Sequence, residues 1–343
     1  MNRFSYSKAI GVAEAVAEFA PDKGTQFIAG GTNLIDLMKE NVARPSRLID
    51  VSRLPLNQIE ETPDGGLRLG ALVTNAETAW HPEVERRYPL LSKAILAGAS
   101  AQIRNMATNG GNLLQRTRCS YFYDLATPCN KREPGSGCSA IEGYNRMHAI
   151  LGAGVHCIAV HPSDMCVALA ALEAEVCVSG KRGERTIPFA DFHRLPGDEP
   201  HLDTDLRPGE IITAIQLPAR GFPEHYAYLK VRDRTSYAFA LVSVAAALEM
   251  EGDNITEARV ALGGVAHKPW RDPQAETLLE GKPAARESFE EVAGELLREA
   301  QGFGDNDFKI DLARRAIIRA LRQAVEMEKE NDHHIHRTTT EPR

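Results

Sequence analysis

The sequence predicts an α+β fold in which two small α/β units precede a domain built from an antiparallel sheet and helices. In the first half, short strand patterns are followed by turn residues and helical patterns, as is typical of α/β units. In the second half, three longer β-type runs follow one another directly, at 226–231, 241–248 and 258–262. Since no helical crossover separates these runs, we expect them to pair antiparallel. Helical patterns at about 286–300 and 309–328 end the ordered chain.

Composition excludes several classes of protein. The 343 residues are enough for two or three domains, and the apolar and charged fractions are those of an ordinary globular protein. The formal net charge of -7, without a long basic stretch, argues against nucleic-acid binding. The longest apolar run, at 241–248, is far too short to cross a bilayer. The first residues lack the layout of an export signal, so we expect synthesis in the cytoplasm without a signal of the chain's own.

The first α/β unit takes up about sixty residues. Ser7 is the expected cap of a first helix, which ends at Pro21. Residues 26–29 have the pattern of a short buried strand, and the glycine pair at 30–31 turns the chain into a second helix. A further strand at 47–51 completes the unit.

The second unit begins with alternating residues at 67–73 and continues as helices to about Gly98. After a central segment, the pattern predicts a helix at 164–172 and strands around Val176 and at 210–215.

Polar segments mark the loops and the end of the chain. Residues 197–208 are rich in Pro, Asp and Gly and are expected to form a surface loop, and a change of composition at 217–223 indicates a domain boundary. The tail at 330–343 is polar and unpatterned, so we expect disorder. Its histidines also offer metal ligands, a second interpretation of the tail: His333, His334 and His336.

Two glycine pairs have the same local chemistry, at 30–31 and at 110–111. Glycine allows a sharp turn and lets a ligand approach the backbone closely. Amides at a helix start, with about +0.5 charge from the helix dipole, favour a pyrophosphate. Two such turns can hold one extended dinucleotide, although either is also consistent with a tight turn that binds nothing. The Gly-x-Gly-x-x-Gly pattern of a Rossmann site is absent from the sequence. Flanking side chains add hydrogen-bonding groups: Thr32, Asn33, Thr108 and Asn112.

Four of the six cysteines are concentrated within forty residues: Cys119, Cys129, Cys138 and Cys157. Small, flexible residues surround Cys129 and Cys138, and nearby cations such as Lys131 stabilise thiolates. The close pairs of zinc ribbons and bacterial ferredoxins are missing. The residues alone therefore leave an iron–sulfur cluster, a zinc site and scattered thiols open.

The other cysteines and the nearby histidines have simpler interpretations. Cys166 and Cys177 lie in helix and strand patterns, where free cysteine usually packs as a small hydrophobe. His148, His156 and His161 are expected to be structural. The sequence contains no nucleophile elbow or other hydrolytic motif, which favours chemistry that belongs to a cofactor.

Taken together, these motifs resemble the flavoprotein subunit of the xanthine dehydrogenase (molybdenum hydroxylase) family. Residues 27–34 look like the first FAD-pyrophosphate loop of that family, and 108–113 look like the second. The resemblance implies a PCMH (vanillyl-alcohol-oxidase)-type FAD-binding domain at 1–222, with subdomains at about 1–60 and 61–222. It also implies a C-terminal domain of the carbon monoxide dehydrogenase flavoprotein type at 223–329.

A cysteine-bearing insertion at about 115–160 separates this chain from most of the family. Two branches have such an insertion, and in both it holds a [4Fe–4S] cluster: the FAD subunit of bacterial periplasmic-type aldehyde oxidoreductases and that of 4-hydroxybenzoyl-CoA reductase. Residues 118–124, 128–132 and 263–270 are most similar to the aldehyde oxidoreductase branch.

The resemblance implies roles for individual residues, with the redox chemistry at FAD and no catalytic side chain. The pyrophosphate and adenosine part would be held by Gln26, Phe27, Ile28, Ala29, Gly30, Gly31, Thr32, Asn33 and Leu34. The flavin side would be contacted by Thr108, Gly111, Asn112, Thr117, Asp124, Asp164, Ile212 and Lys230. For Asp164 a bare helix cap, and for Lys230 a surface strand residue, are equal alternatives. The cluster ligands would be Cys119, Cys129, Cys138 and Cys157.

The implied function is that of an electron-transfer subunit in a heterotrimer with a molybdopterin subunit and a [2Fe–2S] subunit. An aldehyde is oxidised at molybdenum, and FAD delivers the electrons to an external acceptor. The complex would be periplasmic by export together with a partner, or otherwise cytoplasmic. Three alternatives remain at this stage: a hydroxybenzoyl-CoA reductase subunit, a zinc-stabilised nucleotide-binding module and a free-standing flavin oxidase.

Overall fold

The computed structural model describes residues 1–20 and 24–338, with side chains described as far as residue 326. The N-terminal unit is a three-stranded parallel sheet in which the third strand lies between the other two. In chain order its elements are β1 (Ser5–Lys8), α1 (Val12–Glu18), β2 (Thr25–Ile28), α2 (Leu34–Lys39) and β3 (Arg47–Asp50).

The start of this unit corrects one expectation. Ser7 lies within β1 and does not cap a helix, because α1 begins only after Gly11. The short strand was missed because its four residues are mostly exposed and therefore lack an apolar pattern. Pro21, the expected end of the helix, lies outside the described residues.

The second unit contains a five-stranded antiparallel sheet with helices, and its strand order is β4-β5-β8-β6-β7. In chain order the elements are β4 (Ile59–Glu61), β5 (Leu67–Gly70), α3 (Asn75–Ala79), α4 (Pro82–Arg87), α5 (Pro89–Ala97), α6 (Ala101–Arg104), α7 (Asn109–Leu113), α8 (Ser120–Tyr123), α9 (Ser139–Glu142), α10 (Asp164–Ala171), β6 (Glu175–Gly180), β7 (Gly183–Pro188), α11 (Phe189–Phe192) and β8 (Ile211–Leu217).

The C-terminal unit is an antiparallel sheet of five strands covered by helices, as predicted. Its elements are β9 (His225–Val231), β10 (Val242–Glu251), β11 (Asn254–Gly263), β12 (Trp270–Arg271), α12 (Pro273–Glu276), β13 (Lys282–Pro283), α13 (Arg286–Leu296) and α14 (Phe308–Thr338). Helix α14 packs on β9 and β10. Its backbone continues through residues 330–338, where the sequence predicted disorder. The last five residues and the side chains of the tail histidines lie outside the described part.

The largest hydrophobic core joins the second unit to the C-terminal sheet. Side chains of α5 and α10 pack in it together with Ala245, Ala247 and Ala261 of β10 and β11. Alanines at these strand positions let α10 lie close to the sheet, and burial of both apolar faces stabilises the contact. No helix within residues 1–20 and 24–338 is both long and apolar enough to cross a membrane.

Candidate functional site

A cleft of about 710 Å³ lies between the N-terminal unit and the second unit. All nine residues from Gln26 to Leu34 line it, because β2 ends at the cleft and its turn leads directly into α2. Thr108 and Gly111 line the opposite wall, and Ile212 of β8 lies with them. The structure therefore brings these three together with the first glycine turn, although more than seventy residues of sequence separate the groups.

The first glycine turn leaves backbone amides available for a ligand. Gly31 has φ +72°, which favours glycine, and a Cβ on Gly30 would lie 1.9 Å from the carbonyl oxygen of Met106. The amides of residues 31–34 have no hydrogen-bond acceptor among the described residues. Free amides at the end of a strand and the start of a helix are a suitable site for a pyrophosphate.

The second glycine turn differs from the first. The side chain of Thr108 caps α7 and accepts a hydrogen bond from the amide of Gly111. The amides of Asn109 and Gly110 donate to the carbonyl oxygens of Val73 and Ala71. These amides are thus used inside the protein, and the expectation that both turns present free amides was wrong for this one. What it contributes to the cleft is the wall formed by Thr108 and Gly111.

A second cleft of about 390 Å³ extends the first and shares Thr32, Asn33 and Gly111 with it. Asn112 lines this second cleft and is held on two sides: Ser163 Oγ donates to its Oδ1 at 2.5 Å, and its Nδ2 donates to Asn75 Oδ1 at 2.7 Å. The two clefts together form an elongated site, as an extended dinucleotide requires.

Asp164 and Lys230 meet at the far end of the second cleft. Lys230 Nζ lies 2.8 Å from Asp164 Oδ2 and also donates to the carbonyl oxygen of Ala97 at 3.1 Å. The hydroxyl of Tyr228 donates to Asp164 Oδ1 at 2.7 Å, and burial raises the pKa of that hydroxyl well above its usual value. The helix cap of α10 is Ser163, so the cap alternative for Asp164 is excluded. Lys230 is not a surface residue either, since its side chain is only 5% exposed.

The structure also brings the four central cysteines together. Cys119, Cys129, Cys138 and Cys157 all line one small cavity in the loop region between α7 and α10. Two of them, Cys129 and Cys138, pair across an isolated β-bridge. The other two cysteines do not line this cavity: Cys166 is fully buried in α10, and Cys177 is only partly buried. The six cysteines therefore separate into a group of four and two single thiols.

The environments of the four thiols differ. Burial raises the pKa of Cys119 to about 11, whereas a hydrogen bond with Cys157 lowers the pKa of Cys138 to about 6. Backbone amides of Ala140, Ile158 and Ile141 add to this stabilisation of the Cys138 thiolate. Amides that point at cysteine sulfur are typical of iron–sulfur sites.

Two histidines contact these sulfurs. His148 Nε2 lies 3.1 Å from Cys119 Sγ, and His267 Nε2 lies 3.3 Å from Cys157 Sγ. Burial lowers the pKa of His148 to about 4 and that of His267 to about 3, so both rings are neutral at pH 7. His267 was not predicted from the sequence because it lies about 110 residues after Cys157, in the C-terminal unit.

One acidic side chain connects the first cleft with the cysteine cavity. Asp203 Oδ2 lies 2.6 Å from Arg116 Nε, and its Oδ1 lies 2.5 Å from Lys131 Nζ. Arg116 lines the first cleft and Lys131 lines the cysteine cavity. The segment at 197–208 is a loop, as predicted, but it also supplies this partly buried contact.

Comparison with known proteins gives the family. Residues 2–220 match the family described as "FAD binding domain in molybdopterin dehydrogenase", and residues 226–324 match "CO dehydrogenase flavoprotein C-terminal domain". The chain is an FAD-binding subunit of the molybdenum hydroxylase family. It is an oxidoreductase subunit, and its fold has the two domains that the sequence predicted.

Individual relatives agree with this assignment. The subunit is 50% identical to the aldehyde oxidoreductase FAD-binding subunit PaoB of Escherichia coli (strain K12), over 94% of this chain and 99% of that protein. It is 27% identical to the glyceraldehyde dehydrogenase medium chain of Sulfolobus acidocaldarius, over 85% of this chain and 86% of that one. The solved carbon monoxide dehydrogenase from Hydrogenophaga pseudoflava superposes with a TM-score of 0.74, at 27% identity and over 95% and 98% of the two chains.

Of the residues expected at the flavin, Asp124 lines neither of the two clefts and Thr117 lines a third one. Asp124 is exposed at the end of α8, where its Oδ1 accepts a hydrogen bond from the amide of Ala126, and it lines neither cleft. Thr117 is buried and lines both the cysteine cavity and a third cleft of about 320 Å³, which Ser163 and Asp164 also line. The structure therefore gives no support to a contact between Asp124 and the cofactor.

Proposed function

We propose that this subunit carries both FAD and a [4Fe–4S] cluster and transfers electrons in a molybdenum-dependent aldehyde oxidoreductase. The observation that supports the proposal most is the meeting of four cysteines in one cavity beside a cleft suited to a dinucleotide. The 50% identity to an aldehyde oxidoreductase FAD-binding subunit supports the aldehyde as substrate class. FAD, when bound, can exchange electrons singly or in pairs, and it thereby links one-electron with two-electron redox chemistry.

The residues of the two clefts fit FAD. The free amides at 31–34 bind the pyrophosphate, and the 710 Å³ cleft beside β2 accommodates the adenosine. Asn112 orients the flavin half, and the buried ammonium group of Lys230 favours negative charge on the reduced ring. Asp164 fixes the position of that ammonium group, because it is buried, pairs with Lys230 and is itself held by a hydrogen bond from Tyr228.

The cysteine cavity fits a cluster. A [4Fe–4S] centre takes four thiolates and supplies one-electron transfer. Backbone amides stabilise the Cys138 thiolate, while His148 and His267 offer ring N–H groups to two further sulfurs. The nearby Lys131 ammonium group adds positive charge, which partly offsets the negative charge of the thiolates.

The partners in this proposal are a molybdopterin-binding large subunit, a [2Fe–2S] small subunit and an external electron acceptor. Relatives named as medium chains of glyceraldehyde and carbon monoxide dehydrogenases support an assembly of several subunits. The proposed location is the periplasm, reached by export together with a partner subunit, with the cytoplasm as the alternative.

The test is anaerobic purification of the full chain, followed by absorption and EPR spectra and by assays of iron, sulfide and FAD. We expect one FAD and four iron atoms per chain. Cys129→Ser should lose most of the iron, because its sulfur is buried in the cavity, whereas Cys177→Ser should keep it. Zinc in place of iron, or full iron in Cys129→Ser, would contradict the cluster assignment.

The substrate is tested separately in the assembled complex. We expect turnover of aldehydes with an artificial acceptor and none with an aryl-CoA thioester. Reduction of the thioester without aldehyde oxidation would instead assign the complex to the reductase branch.

A further inference from the structure

The carboxylate of Asp203 bridges two cations, one at each of the two proposed cofactor sites. One carboxylate oxygen pairs with Arg116 at 2.6 Å and the other with Lys131 at 2.5 Å. The same loop supplies main-chain acceptors to both cations, because Arg116 donates to the carbonyl oxygen of His201 at 3.3 Å and Lys131 to that of Pro200 at 2.7 Å. The two cations are therefore attached to one short segment of chain.

The bridge is removed from water at its cysteine end. The side chain of Lys131 is only 3% exposed and lines the cysteine cavity two residues after Cys129. Arg116 lies at the nucleotide end and is 29% exposed, and its own amide donates to Asn33 Oδ1 in the first glycine turn. Although burial raises the pKa of Asp203, Lys131 and Arg116 together lower it to about 2, so the carboxylate is ionised.

One carboxylate shared between two cations makes the two pairs compete. An anionic ligand in the cleft attracts Arg116 and weakens its pair with Asp203, which leaves that carboxylate more strongly paired with Lys131. Lys131 then contributes less positive field to the cysteine cavity. Such interactions are strongest at the buried Lys131 end, because the side chains of Asp203 and Arg116 are 30% and 29% exposed.

We propose that Asp203 is a positioning residue that couples nucleotide binding in the cleft to the redox state of the cysteine-bound cluster. The inference rests on the proposed function. Reduction adds negative charge at the cysteines and draws Lys131 towards them, so Asp203 pairs more strongly with Arg116 and withdraws it from the ligand. A nucleotide pyrophosphate therefore binds more weakly when the cluster is reduced. Because such coupling is reciprocal, a bound nucleotide also disfavours cluster reduction by the same factor.

The probe is ADP, which has the pyrophosphate of FAD but cannot be reduced. The full chain is stripped of FAD, its cluster is verified by EPR and iron assay, and ADP is titrated calorimetrically before and after reduction with dithionite. We expect ADP to bind about fivefold or more weakly to the reduced protein, the lower range for coupled sites. Asp203→Asn should bring the ratio of the two dissociation constants close to one.

Two variants separate coupling from folding. Asp203→Glu keeps the charge and should retain a ratio above one. Asp205→Asn removes a carboxylate two residues away, which pairs with Arg185 on the surface, and should leave the ratio unchanged. If Asp203→Asn does not fold, Arg116→Gln is measured in its place and should bring the ratio of the two dissociation constants close to one.

The outcomes are distinct. A ratio near one in the unmodified chain, with an intact cluster and measurable ADP binding, overturns the coupling. An undiminished ratio in Asp203→Asn overturns the role of this residue. Absence of iron, or of any ADP binding, instead contradicts the proposed function on which the inference rests.

Discussion

Lys230 Nζ lies 2.8 Å from Asp164 Oδ2, and this ion pair connects β9 of the C-terminal sheet with the first turn of α10. Both side chains are less than one tenth exposed. This end of the second cleft is thus built from two domains, and its buried cation Lys230 comes from the domain that does not contain the glycine turns.

Lys230→Met should affect both stability and the flavin. The carboxylate of Asp164 would remain buried with only Tyr228 as a partner, at a cost of roughly 3 kcal/mol in the free energy of unfolding. Loss of the ammonium group should also lower the reduction potential of bound flavin. Urea unfolding and a redox titration measure the two effects.

The control is Arg286→Met, which breaks an exposed ion pair with Glu290 and should leave the free energy of unfolding nearly unchanged. An unchanged flavin potential in Lys230→Met would show that this cation does not act on the ring.

Gly30→Ala should abolish FAD binding. The added Cβ would lie 1.9 Å from the carbonyl oxygen of Met106, and backbone on both sides must move to relieve the overlap. The first turn would then separate from the second unit, while the cysteine cavity is unaffected. We expect purified protein with iron but without FAD. Gly11→Ala is the matched control, since a Cβ there has open space and ordinary extended backbone. Normal FAD content in Gly30→Ala would contradict the importance of the close approach between Gly30 and Met106 for cofactor binding.

Asp124→Asn should leave FAD content and flavin potential unchanged. The side chain is exposed and bonds only locally, to the amide of Ala126, among the described residues. Family resemblance predicted the opposite, a contact near the ribityl chain or ring. A loss of FAD in this variant, measured by flavin fluorescence after denaturation, would favour the sequence-based expectation over the structure.

Lys309 should make the free energy of unfolding increase with pH in the alkaline range. Burial, with a smaller effect of Arg146, lowers its pKa to about 7, while its ammonium group donates to the carbonyl oxygens of His148 and Gly264. An unfolded lysine has a pKa near 10.4, so between about pH 7 and 10 the unfolded chain binds more protons. Stability from this residue therefore rises with pH, by at most about 1.4 kcal/mol per unit.

The measurement is the urea midpoint of the original chain and of Lys309→Met at pH 7.5 and at pH 9.5. From pH 7.5 to pH 9.5, the urea midpoint of the original chain should rise relative to that of Lys309→Met. A constant difference would mean that Lys309 has an ordinary pKa despite its burial.

Much of the fold follows from local patterns in the sequence. The run at 241–248 is apolar on both faces because β10 is the central strand, covered by α14 on one side and by α10 on the other. The glycine pair after β2 predicted the first turn. The structure shows the reason, which is the close approach of the backbone at Gly30 to the backbone at Met106. By contrast, β1 and β7 have mostly exposed residues and little apolar pattern, so neither could be recognised.

The site was predictable where its residues are adjacent in sequence and not where tertiary contacts create it. The nine residues of the first turn line one cleft and the four cysteines line one cavity, so each predicted group does meet in space. Asp203 and His267 were missed, because a polar loop and a distant turn give no local sign that they fold against Lys131 and Cys157. Likewise, the occupied amides of Gly110 and Asn109 depend on β5 and the loop after it.

The core shared by α10 and the alanines of β10 and β11 has a practical consequence for protein engineering. Residues 1–222 expressed alone would expose the apolar side of α10 to water and would lack Lys230. Fragments cut at the boundary between the two domains are therefore expected to aggregate. Fusion partners or affinity tags are best attached at the chain ends.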